Sequence, residues 1–295
     1  METMEASETA APPPPPPVRR PIPGVLQSIL WCVVVHLAMA AAALLVTRWR
    51  HLSGMPDGFA GRMLLSQVLV WAYLLLRAPA WARTPLRSAY PLRTFPVLII
   101  PALVTLTLGI AILALAAANF IPMPEALEGT LVNAYEQGRE GTFMLISVVL
   151  VAPIAEELFF RGLILRGYMG RYSPRVAIWA SSLLFAVFHF NPWQAVIALP
   201  VGLLAAWVFL RTGSLLPCII VHMAANATPE FVILPLCRIL GLTPEETFAL
   251  ESYPLALIGI AFAMTLGAGS LLLHQLALRP GSGHSISQPE HRSED

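Results

Sequence analysis

Apolar runs close to twenty residues long recur along most of the chain, and no other feature limits its fold as strongly. A helix needs about 20 apolar residues to cross the hydrocarbon of a bilayer. The runs lie at about 24–47, 62–82, 96–119, 142–168, 175–190, 194–211, 214–237 and 253–278. In lipid, backbone N–H and C=O groups must be satisfied within the segment, which makes helices the expected element. The expected fold is all-α: a polytopic transmembrane helix bundle of about eight spans over residues 24–278. The fifth and sixth runs are the hardest to separate, because only a short Asn191-Pro192 turn joins them.

Composition agrees with this reading. The chain is 57% hydrophobic and 12% charged, whereas soluble domains carry about 25% charged residues. Net charge is +1, so nothing favours a nucleic-acid partner. All 18 basic residues are arginine, and with the Ala and Pro content this points to a GC-rich, bacterial source. Cys32, Cys218 and Cys237 fall in apolar runs without regular spacing, and are expected to be small buried hydrophobes rather than disulfides or a zinc knuckle. Residues 1–23 are acidic and then proline-rich, with an unbroken tract from Pro12 to Pro17. Such a segment cannot bury a core and is expected to be a disordered tail, as is 279–295. Thr243-Pro244-Glu245-Glu246 reads as a capping box that starts a short surface helix before the last run.

Arginine placement orients the bundle. Arg19, Arg20, Arg83, Arg87, Arg93, Arg166, Arg171, Arg175, Arg211, Arg279 and Arg292 mark one side, while the loops after runs three and seven are acidic. Arg48 and Arg50 dissent. The expectation is an inner-membrane, multi-pass protein with both termini in the cytoplasm.

Three polar clusters interrupt the apolar runs. They are Glu156-Glu157 with Arg161, Phe185 with His189, and His222 with Asn226. Ionisable groups in hydrocarbon are costly and are usually kept for function. Glu156 lies ~20 Å, His189 ~21 Å, His222 ~12 Å and Asn226 ~18 Å from the cytoplasmic end of its run at 1.5 Å per residue. Groups on three different helices are thus expected at similar depth. Glu157 and Arg161 are four apart with the acid first, the favoured order for a helical ion pair, which gives them a supporting role. Glu156 points about 100° away and is left for chemistry. His222 and Asn226 share a helix face, as do Phe185 and His189. His36 has no polar neighbour at helical spacing and is assigned to packing or an interface.

The sequence Glu156-Glu157-Leu-Phe-Phe-Arg161 resembles a Glu-Glu-x-x-x-Arg box. Phe185-Ala-Val-Phe-His189 is similar to a Phe-x-x-x-His box, and His222-Met-Ala-Ala-Asn226 to a His-x-x-x-Asn box. In this order and spacing they resemble the CAAX protease and bacteriocin-processing family of intramembrane proteases, also called the Abi or type II CAAX prenyl endopeptidase family. The resemblance covers about 140–235. It implies an endopeptidase that hydrolyses a peptide bond of a membrane-associated peptide or protein. Carried over, Glu156 and His189 activate and position a water, while His222 and Asn226 form the oxyanion site. Glu157, Arg161 and Phe185 support them.

General chemistry is compatible with that implication. Low dielectric makes a carboxylate a stronger base, and preorganised donors in a dry cavity favour a tetrahedral oxyanion. Glu156, His189 and His222 would also be a zinc set with one position left for water. No His-Glu-x-x-His helix is present, so the favoured reading is glutamate-activated water without metal. A transporter or proton relay is the main rival and would be expected to show matched, broken repeats, which the chain lacks. A catalytically silent immunity or scaffold protein of the same fold stays open on sequence alone. Asp57 and Asp295 are the only aspartates and lie outside the runs, and there is no Gly-x-Ser-x-Gly elbow, so aspartic and serine mechanisms drop out. The expected partners are the lipid bilayer and a peptide substrate.

Overall fold

A computed structural model describes residues 24–53, 59–81, 86–122, 142–241 and 255–277. Nine helices are labelled here in chain order: α1 (Val25–Ser53), α2 (Phe59–Trp81), the single turn α3 (Leu86–Ala89), α4 (Val97–Ala118), α5 (Thr142–Met169), α6 (Pro174–Phe188), α7 (Pro192–Thr212), α8 (Leu216–Leu236) and α9 (Leu255–Ala277). Among the described residues there is no strand. The protein is a polytopic helical bundle, and α1, α4, α5, α7, α8 and α9 are long and apolar enough to cross a membrane. The expected second run is α2, which carries Arg62, Arg77 and Pro79. The fifth is α6, an apolar helix of 15 residues. At 1.5 Å per residue α6 reaches ~22 Å, short of the ~30 Å hydrocarbon layer. The two expected tails and the Thr243–Glu246 capping box lie outside the described residues.

The short α6 leaves a turn beside α7, and its polar groups are satisfied locally. Asn191 caps α7, its Oδ1 accepting from the Trp193 and Gln194 N–H groups at 3.0 and 3.2 Å. Trp193 Nε1 donates to Ile121 O at 2.9 Å, tying the turn to the end of α4. This meets the rule that irregular backbone at depth must be paired by protein.

The outer helices α1 and α9 display large apolar side chains, among them Leu26, Leu44, Leu255 and Leu266. An apolar exterior of this kind suits lipid rather than water. The central helix is α5, where Phe159, Phe160, Leu163, Ile164, Leu165 and Tyr168 are all buried. The stretch Phe159–Leu165 is buried on every side, as expected of a helix segment inside a bundle.

Proline dictates two of the joints around α5. In α2, Pro79 has no N–H for the Leu75 carbonyl four residues earlier. Tyr90, beyond α3, donates its hydroxyl to Leu75 O at 2.8 Å instead. In α5, the turn Ile146–Val151 is π-helical, and the Ala152 N–H bonds Ser147 O five residues back. Pro153 cannot donate, so Val148 O loses both of its helical partners. The α5 turn is opened next to Glu156 and Glu157, and it presents a carbonyl that another helix must satisfy.

Candidate active site

Three helices build the polar centre. From α5 come Glu156, Glu157 and Arg161, since a second π-helical stretch, Leu158–Leu165, follows the two glutamates. From α8 come His222 and Asn226. The start of α8 is anchored where Ser214 Oγ donates to Arg93 O at 2.7 Å and the Leu215 N–H to Pro91 O at 2.9 Å. That anchor sets the height of His222 two turns later. From α7 comes the Gly202 carbonyl.

Glu157 is the hub. Its Oε1 accepts from Arg161 Nη1 at 2.7 Å and from His222 Nδ1 at 2.9 Å. A carboxylate oxygen accepts, so the His222 proton on this side sits on Nδ1, and a neutral ring presents Nε2 as an acceptor. Arg161 is only 1% exposed. Its guanidinium donates Nη2–H to Gly202 O at 2.9 Å and lies 4.5 Å from the centre of the Phe185 ring. A desolvated arginine requires this complete set of partners. Gly202 makes the approach feasible, because a Cβ there would stand 3.3 Å from Arg161 Nη2 and 3.1 Å from Phe185 Cδ1.

Glu156 faces the other side of His222. Its Oε2 lies 3.9 Å from His222 Nε2, is buried, and has no protein hydrogen-bond partner. Asn226 Nδ2 donates to Val148 O at 2.8 Å, supplying the bond that the π turn and Pro153 deny to that carbonyl. One amide N–H of Asn226 is thereby spent on structure, and the second is left over.

His189 sits apart from this chain of contacts. It caps the end of α6, with Nδ1 3.0 Å from Phe185 O. The Phe185 ring is 5.1 Å from the His189 ring and 5.3 Å from the His222 ring, edge-on to both. Phe185 thus touches both imidazoles while also covering Arg161. Among the described residues, the histidine within ion-pair distance of Glu156 is His222 rather than His189.

A zinc cage requires three or four ligands at about 2.0–2.3 Å. Among the described residues no group of three or more His, Cys, Asp or Glu comes together in that way. Among the described residues, Glu156, His189 and His222 do not come together as such a group.

Residues 138–228 match the family model described as Rce1-like: Type II CAAX prenyl endopeptidase Rce1-like. Over that stretch, just under a third of its length, the chain is similar to this family. The matched stretch contains every residue of the polar centre from Glu156 to Asn226 and ends near the limit expected from the motifs. The chain is also 33% identical over 88 residues to an Escherichia coli protein described as an uncharacterized 24.3 kDa protein. That alignment takes in 28% of this chain and 40% of the relative, so the chain spans about two fifths of the curated relative's length. No solved structure matches.

Spacing along single helices foreshadows the Glu157–Arg161 pair and the shared faces of Phe185 with His189 and of His222 with Asn226. It is blind to the His222–Glu157 bond, the Gly202 carbonyl and the Val148 carbonyl, which join different helices. The one available signal for Val148 was Pro153, five residues on, in an otherwise unbroken apolar run.

Proposed function

We propose that the protein is an intramembrane endopeptidase that hydrolyses a peptide bond of a membrane-associated peptide by glutamate-activated water. The observation that carries this reading is the buried, unpartnered Glu156 Oε2 standing 3.9 Å from His222 Nε2. A gap of that size between two polar atoms is one that a bridging water can span. Glu157 holds the imidazole by Nδ1–H, and Arg161 neutralises Glu157, so Nε2 is free to accept from the water. Glu156 takes the water's proton as the oxygen adds to the substrate carbonyl carbon. It then returns that proton to the departing amine nitrogen as the C–N bond breaks. The remaining Asn226 N–H donates to the oxyanion.

In this reading His222 takes the water-positioning role that the family resemblance gives to His189. No metal enters these steps, and among the described residues no group of three or more His, Cys, Asp or Glu gathers to hold one. Arginine placement along the sequence supports an inner-membrane orientation with cytoplasmic termini.

The test is cleavage of a membrane-peptide library by purified protein. Glu156→Gln should abolish cleavage with the fold intact, and cleavage unaffected by that change would end the assignment. His222→Ala should lose ~10²-fold or more, in line with removal of a preorganised polar group. A loss in His189→Ala as deep as in Glu156→Gln, with His222→Ala mild, would return the water to His189. Inhibition by a chelator, reversed by added zinc, would overturn the metal-free mechanism. Proteoliposome flux without cleavage would favour the transporter reading.

A further inference from the structure

A cavity of about 690 Å³ opens beside Glu156, walled by α1 and α2 with Phe188 of α6. Its lining on α1 runs from Val35 to Thr47 and on α2 from Arg62 to Trp71. Those stretches are ~18 and ~14 Å long at 1.5 Å per residue. An extended chain rising ~3.3 Å per residue would place four or five residues along them. Most of the wall is apolar, and Glu156 lies on it together with one imidazole, that of His36.

His36 is on α1, outside the Rce1-like segment, and three observations set it apart from ordinary packing. First, its Nδ1 is 2.9 Å from Cys32 O. A carbonyl can only accept, so Nδ1 carries a proton, and in a neutral ring Nε2 is then the acceptor. Second, the ring is clamped edge-on between Phe188 and Phe190, with centroids 4.3 and 4.5 Å away. Third, Phe190 holds a backbone φ of +48°, a left-handed conformation that bulky side chains rarely adopt. The strained residue follows His189 directly, so the turn that ends α6 also fixes His36. A phenylalanine or leucine would fill the same space without bringing a polar nitrogen into hydrocarbon.

We propose that His36 is a substrate-positioning residue, whose Nε2 accepts a hydrogen bond from a backbone N–H of an extended, apolar peptide segment lying in the cavity beside Glu156. This rests on the endopeptidase reading only in taking the cavity as the substrate's seat. Such a bond would hold the chain in register against Glu156 while the apolar walls of α1 and α2 cover its side chains.

The experiment measures binding apart from hydrolysis. Fluorescein-labelled Ala-Leu-Ala-Leu-Ala and its singly N-methylated forms are titrated by anisotropy onto the Glu156→Gln protein in detergent, with protein-free micelles subtracted. Adding His36→Phe should weaken binding of the unmethylated peptide about tenfold, the scale of one lost hydrogen bond. Adding His36→Gln, which keeps an acceptor, should stay within about threefold of the parent. One N-methyl position should weaken binding to the parent and have no further effect in His36→Phe. Absence of saturable binding overturns the proposal. So does equal binding by His36→Phe, equal loss in both His36 variants, or an N-methyl effect that persists in His36→Phe. If the wild type binds the peptide with this pattern but never cleaves any peptide, the endopeptidase reading falls and the role of His36 as a peptide contact stands.

Discussion

Asn226 has one observed job, the bond to Val148 O, and one proposed job at the oxyanion, and Pro153 provides the means to separate them. Asn226→Ala removes the donor to Val148 O, whose two helical partners are already lost to the π turn and to Pro153. Leaving a buried carbonyl unpaired costs about 1–3 kcal/mol. Pro153→Ala restores an N–H five residues after Val148, where the π register directs it to the same carbonyl. In that background the stability loss from Asn226→Ala should shrink, giving a coupling of about 1–2 kcal/mol between the two changes. The assay is reversible unfolding in mixed SDS micelles of wild type, both single variants and the double. The rate of peptide cleavage should behave differently. If the second Asn226 N–H serves the oxyanion, Asn226→Ala loses ~10²–10³-fold and Pro153→Ala does not restore it. Stability effects that add to within ~0.5 kcal/mol would refute the claim that Asn226 and position 153 serve one carbonyl.

Other perturbations address the remaining joints. Glu157→Gln leaves Arg161 buried without its counter-charge and should destabilise by about 3–5 kcal/mol, with much of the loss recovered when Arg161→Met is added; urea or SDS unfolding measures both. Tyr90→Phe should lose about 1–3 kcal/mol by orphaning Leu75 O, and less where Pro79→Ala supplies the missing N–H. Gly109→Ala would place its Cβ 2.5 Å from Thr265 Oγ1 and 2.7 Å from Ala261 O. It should force α4 and α9 apart at about 1–3 kcal/mol, read as a lower unfolding midpoint. An unchanged midpoint would mean that the two helices are not in close contact.

The run lengths in the sequence marked all eight of the longer helices to within about six residues at either end, because in lipid an apolar stretch has little choice but helix. Spacing of three and four residues also foretold which polar groups share a face, and so the Glu157–Arg161 pair. The stretch that matches the family model was legible for the same reason, since the three motifs read within it are each local to one helix. His36 shows the limit of that reading. Alone on its helix it looks like packing, and only the fold reveals that it lines the cavity of Glu156.

Sequence by itself determined which segments are helical and which side chains are too polar for their surroundings, since both follow from transfer into lipid and from the pitch of a single helix. Tertiary structure alone decided that His222 rather than His189 meets Glu156, that Glu157 binds the imidazole as well as the guanidinium, and that Asn226 completes the broken turn of α5. Those pairings depend on how α5, α6, α7 and α8 are rotated and raised against one another. That relation is set by the close approach at Gly202, the anchor at Ser214 and the carbonyls that proline leaves unpaired, and no periodicity within one helix encodes it.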